Sequence, residues 1–115
     1  QIDLKVELFG DGARHQSGYV VIQGGWNNTI STIARRDEQE RRRVEKRTRF
    51  EANRQYRWRL ERTDGQRVTM YLDNQLFLSY DDASPMAGPG QDRFGFCNWE
   101  SDVFFDDLVI TALPD

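Results

Sequence analysis

Two short clusters carry residue types suited to holding a sugar ring. The first is Gln23-Gly24-Gly25-Trp26-Asn27-Asn28 and the second is Asn98-Trp99-Glu100-Ser101. An indole offers a flat apolar platform for the apolar face of a pyranose, while amides and carboxylates bond the hydroxyl groups around its rim. Both clusters fall at the ends of alternating segments, where loops carry function. The alternative for Trp26 and Trp99 is ordinary packing at the core or its rim. Arg35 is a candidate partner for an anionic group, because a guanidinium binds a carboxylate through two parallel hydrogen bonds. Gln23, Trp26, Asn28, Arg35, Asn98 and Trp99 are therefore the candidate binding residues. Glu100 is the candidate catalytic acid or base if the chain performs chemistry.

Other chemistries find little support in the 115 residues. His15 is the single histidine and Cys97 the single cysteine, so neither a Cys/His zinc set nor an internal disulfide is available. Nucleophile-elbow, phosphate-loop and dinucleotide patterns do not occur. Paired carboxylates could still act on a glycosidic bond, and Glu61, Glu100, Asp102, Asp106 and Asp107 are the available acids. Neighbours along a regular strand point to opposite faces, so Asp106 and Asp107 do not face one substrate together in such a strand. A metal ligand set is not identified. No cofactor is expected, with structural calcium at acidic groups of the last strand as the exception considered.

Charge narrows the partners. The formal charge is −3, which argues against a general nucleic-acid binder. Residues 35–49 hold eight basic and four acidic groups, net +4, leaving −7 for the remainder. Arginine supplies 14 of the 16 basic residues. An anionic sugar such as a uronate is one reason for that stretch, and a solvated hairpin laced with ion pairs is the other. No apolar run approaches membrane-spanning length; Val103–Phe105 and Leu108–Ile110 are separated by Asp106 and Asp107. The absence of a starting Met and of a signal peptide suggests an excised or processed segment. The cytoplasm, the periplasm and the extracellular space all remain open as locations.

The elements that must position these residues follow a period of two. Leu4, Val6 and Leu8 alternate with Lys5 and Glu7; Tyr56, Trp58 and Leu60 alternate with Arg57 and Arg59; Val68, Met70 and Leu72 alternate with Thr69 and Tyr71. That alternation suits a sheet with one buried face. Turn residues divide the runs at Gly10-Asp11-Gly12, Gly24-Gly25, Thr63-Asp64-Gly65, Asp73-Asn74 and 81–92. The expected strands are 3–9, 17–24, 27–36, 42–50, 55–63, 66–73, 75–80, 93–99 and 103–112. A helix competes only over 37–49, which has i,i+4 charge pairs but no apolar stripe; read as a strand, Val44, Lys46, Thr48 and Phe50 share one side. The expected core includes Leu4, Val6, Leu8, Val21, Tyr56, Trp58, Leu60, Val68, Met70, Leu72, Leu76, Leu78, Phe94, Phe96, Leu108 and Ile110. One antiparallel β-sandwich domain over 1–115 is the expected architecture.

The segments YRWRLER, QRVTMYLDNQLFLSYDD, RFGFCNWES and FFDDLVI together resemble the closing strands of the concanavalin A-like lectin and glucanase superfamily. GYVVIQGGWNNTISTIARRDE resembles bacterial sandwich proteins associated with plant-polysaccharide breakdown and, more distantly, 3-keto-disaccharide hydrolase domains. The resemblance implies a jelly roll that binds or acts on polysaccharide or oligosaccharide, with glycoside hydrolase or polysaccharide lyase as the enzymatic options. Family members are longer, so either this is a trimmed domain or its first strands lie elsewhere. An open edge near the closing strand then predicts a homodimer or pairing with the missing strands. A non-catalytic structural or protein-interaction domain is the alternative function.

Overall fold

The computed structural model describes residues 4–13, 17–37, 43–51, 53–86, 88–98 and 107–110, with residues 97 and 98 described by their backbone. Eight strands follow in chain order: β1 (Leu4–Gly10), β2 (Tyr19–Gly24), β3 (Ile30–Arg35), β4 (Arg43–Arg47), β5 (Trp58–Thr63), β6 (Arg67–Leu72), β7 (Gln75–Asp81) and β8 (Arg93–Asn98). They form a five-stranded sheet of order β4-β3-β2-β1-β8 and a three-stranded sheet of order β5-β6-β7. All ladders are antiparallel. The chain is thus all-β, with two sheets sharing one core.

Register fixes which side chains meet. Val6, Val21, Ile33 and Val44 lie opposite one another across β1 to β4 and define the inner face of the larger sheet. Tyr19, Val21 and Ile33 from that face pack with Val68, Met70, Leu78 and Tyr80 of the smaller sheet. β2 is buried at every position, including Val20 and Ile22 on the outer face. A central strand buried on both sides reads as a continuous apolar run, which is why YVVI lacks the alternation seen in β1. The two-residue turn between β6 and β7 places Asp73 at φ 50° and Asn74 at φ 67°, the paired left-handed conformation that matches the twist of a tight hairpin. Gly18 is required for a different reason: a Cβ there would lie 2.0 Å from the Leu8 carbonyl oxygen.

The stretch that could have been helical is strand β4. Val44 packs on the core, the Lys46 ammonium stands 5.0 Å from the centre of the Phe77 ring, and Phe50 meets Tyr56 and Phe77 edge-on. Several expected core positions are corrected. Leu76 is 64% exposed because the β6–β7 register slips between Met70 and Tyr71. One extra residue reverses the alternation, so Phe77 turns inward and Leu76 outward. Phe94 and Phe96 are 43% and 42% exposed; β8 is at the far end of the five-stranded sheet from β3 and β4, the strands that face β7 of the smaller sheet. Leu108 and Ile110 are also exposed. Most of the strand expected over 103–112 lies outside the described residues, and 107–110 are not in a strand.

Candidate functional site

β2 and β3 are joined by one turn, Gly25–Asn28, of unusual hand. Gly24 has φ 70°, Trp26 φ 48°, Asn27 φ 63° and Asn28 φ 62°. The Thr29 amide donates to the Gly25 carbonyl at 3.0 Å and closes the turn. Glycine enters this region freely and asparagine tolerates it, but a residue such as tryptophan is opposed there by about 1–2 kcal/mol. The strain is held by neighbours. Asn28 bonds the Phe50 backbone in both directions: Nδ2 donates to its carbonyl at 2.9 Å, and Oδ1 accepts from its amide at 3.0 Å. Thr29 Oγ1 donates to the Trp26 carbonyl at 2.6 Å. The Gly24 amide donates to Ser31 Oγ, whose hydroxyl pairs with that of Thr48.

The Trp26 ring that this turn presents is exposed. Arg43 lies opposite Ala34, on the outer face of the larger sheet, and its guanidinium carbon is 5.5 Å from the centre of the indole. The indole is therefore swept back along that outer face, with a cation over it. Beneath the turn, an open depression of about 370 Å³ is lined by Asn28, Thr29, Arg47, Thr48 and Arg49. The aromatic platform and the basic depression meet at Thr29, which bonds one and lines the other. A flat ring, flanking hydroxyls and two guanidinium groups suit a flat polyhydroxylated ligand.

The remaining sequence candidates are distributed differently. Gln23 is 1% exposed, and its Oε1 accepts a hydrogen bond from the Trp58 indole Nε1. It is a buried partner of Trp58, not a surface group. Trp58 accordingly sits half-buried at the core margin, fixed by that bond. Arg35 already holds an anion, namely Asp82. Arg35 Nε donates to Asp82 Oδ2 at 2.9 Å, and the Tyr19 hydroxyl donates to the same oxygen at 2.8 Å. The Ser84 amide donates to Oδ1 at 2.9 Å, Arg35 Nη2 donates to the Ser84 carbonyl, and the Met86 amide donates to the Tyr19 oxygen. Tyr19 and Arg35 belong to one sheet and Asp82 follows the other, so this network clasps the sheets together. Burial pushes the Asp82 carboxyl up, but the bonds from Ser84, Tyr19 and Arg35 outweigh it and hold it below the ordinary 3.8. Burial, supported by Asp82, pushes the Tyr19 hydroxyl up to about 12.

Trp99, Glu100, Ser101, Asp102, Asp106 and His15 lie outside the described residues, and Asn98 is placed by its backbone at the end of β8, opposite Leu4. Glu61 is ion-paired to Arg59 at 3.2 Å. Among the described residues, no group of three or more His, Cys, Asp or Glu side chains converges on a metal position. Thr29, Arg47, Thr48 and Arg49 were not marked by the sequence as site residues; the only trace was the alternation Arg47-Thr48-Arg49 inside a longer charged run. Comparison with protein-family models, with curated proteins and with solved structures finds no match to this chain.

Proposed function

We propose that this chain is a carbohydrate-binding domain of the concanavalin A-like jelly-roll kind, with its binding surface at the β2–β3 turn. The strand order supports the fold reading: β1 to β4 run as a meander, and β8 returns to pair beside β1 after the chain has built a second sheet. One observation carries the functional reading. Trp26 is exposed and held at φ 48°, in a turn that Asn28, Thr29 and Ser31 fix by hydrogen bonds. A packing tryptophan needs neither the strain nor the exposure, whereas strained residues held by their surroundings cluster at binding sites. The ligand class is a polysaccharide or oligosaccharide, laid against the indole and reaching Thr29 and the arginines below. Binding is the activity proposed; a catalytic role for Glu100 is a separate matter, tested by turnover in Glu100→Gln with binding retained. The test of the present reading is a glycan array with wild-type protein and Trp26→Ala. Retention on particular glycans that disappears in the variant supports it. Equal retention by both proteins, or none by either, rejects it.

A second reading, a protein-interaction domain, is favoured by a different surface. Phe94 and Phe96 stand edge to face at 6.0 Å on β8, both substantially exposed. Exposed aromatic pairs on a terminal strand suit a protein partner. Replacing both by serine leaves glycan binding intact on the first reading and abolishes capture of the partner on the second.

A further inference from the structure

The described arginines differ in what the fold brings to them. Arg35, Arg43, Arg54, Arg59, Arg67 and Arg93 each stand within 3.5 Å of a carboxylate oxygen. Like Arg36, Arg57 and Arg62, Arg47 and Arg49 form no ion pair among the described residues. Arg47 and Arg49 are nevertheless close to each other in sequence, exposed, and brought to one depression. Arg47 ends β4 and Arg49 follows two positions on, and both line the same depression. Like charges brought together repel; the one acid of β4, Glu45, is paired with Arg43 at 3.1 Å, and Glu51, two positions after Arg49, forms no ion pair with either arginine among the described residues. Lys46 stands against Phe77 instead. Charge on an edge strand can serve simply to block strand pairing. That purpose is already met on β4 by Arg43, Glu45 and Lys46, and it does not require two uncompensated guanidinium groups in a concavity with hydroxyls.

We infer that the Arg47/Arg49 depression is an oxyanion subsite, and that the glycan bound at Trp26 is an acidic one carrying carboxylate or sulfate groups. This inference rests on the carbohydrate reading above and adds the charge of the ligand. The two guanidinium groups supply planar paired donors for the oxyanion. The Thr29 hydroxyl, which spends its proton on the Trp26 carbonyl, keeps acceptor capacity for a sugar hydroxyl. Trp26 then stacks a neighbouring ring of the same chain. The site selects for charge through Arg47 and Arg49, and for a sugar face through Trp26.

The test is equilibrium binding of the 115-residue chain to four probes at low and high salt: polygalacturonate, its fully methyl-esterified form, a sulfated galactan and a single-stranded oligonucleotide. Esterification removes the charge and keeps the sugar. The expected result is binding of an acidic glycan that weakens on esterification or in salt. Arg47→Gln and Arg49→Gln each lower that affinity by about tenfold, the range for a charge-assisted bond. Arg57→Gln, an exposed arginine on the other sheet's side, leaves it unchanged. Preference for polygalacturonate or for the sulfated galactan identifies which oxyanion is read. Equal binding of the acid and its ester, unaffected by either substitution, overturns the subsite while leaving the carbohydrate reading standing. No glycan binding of any kind overturns both. Tighter binding of the oligonucleotide with the same arginine dependence overturns the acidic glycan in favour of nucleic acid.

Discussion

The two ends of strand β3 use the same residue type in opposite ways. At one end Arg35 is turned into the protein, where Asp82 and the Ser84 carbonyl take up its charge and its donors, and Tyr19 donates to the same Asp82 oxygen. At the other end the chain leaves the Trp26 turn, and Arg47 and Arg49 line an open depression and form no ion pair among the described residues. Arginine content alone does not separate these cases. The separation comes from what the fold brings opposite: Asp82 is 47 positions away in sequence, and its arrival turns a candidate ligand-holding arginine into a clasp between sheets. The strain and the unspent charge sit together at the Trp26 end, and the satisfied network sits at the other. Stability and recognition are therefore expected to be separable by substitution.

The largest effect should come from the satisfied end. Asp82→Ala leaves Arg35 and Tyr19 facing each other without their shared acceptor, and should cost about 3 kcal/mol in chemical denaturation. Glycan affinity per folded molecule should not change. Gly18→Ala should cost about 2 kcal/mol, because its Cβ meets the Leu8 backbone carbonyl oxygen of β1, which has no rotamer to escape into. A cost below about 0.5 kcal/mol at Asp82 would remove the contrast between the two ends.

The same clasp sets two pH limits. Asp82 has a folded pKa below the ordinary 3.8, so its contribution is complete above that value and is lost as the pH falls through the lower folded value. Tyr19 is raised from 10.0 to about 12, so its contribution is complete below pH 10 and is lost as the pH rises toward 12. Tyr19→Phe should flatten the alkaline limb and cost about 1 kcal/mol at neutral pH. Urea midpoints measured across pH 2 to 12 check both limbs.

The architecture was legible where the chain's own pattern decides it. Period-two alternation marks β1, β5 and β6, and Asp73-Asn74 marks its hairpin, because these signals are local. The expected strand 27–36 starts instead at Ile30, since the left-handed turn occupies the preceding residues. Leu76 was misplaced because a one-residue bulge is set by pairing with β6, and Phe94 and Phe96 because burial there depends on how far a second sheet extends. At the candidate site, Trp26 followed the expected Gly24-Gly25 turn, whereas Asn28 fell inside the expected strand 27–36 and lies in the turn instead. The roles of Gln23 and Arg35 were not readable, because their partners Trp58 and Asp82 are 35 and 47 positions distant.

The smallest stability effect belongs to the strained end. Trp26→Gly relieves the left-handed conformation, so stability should hold or rise by up to about 1 kcal/mol even as glycan affinity is lost. A clear loss of stability would mean that the ring is packing and not platform.

The most direct test uses the indole signals themselves. In a titration with polygalacturonate followed by 15N-resolved NMR, Trp26 is an exposed residue of the proposed site, while Trp58 Nε1 is bonded to buried Gln23 and serves as an internal control. The account predicts that the Trp26 indole shifts together with the amides of Asn28, Thr29 and Arg47 to Arg49, saturably, while Trp58 stays in place. Shifts centred on Phe94 and Phe96, with the Trp26 indole unmoved, would contradict it.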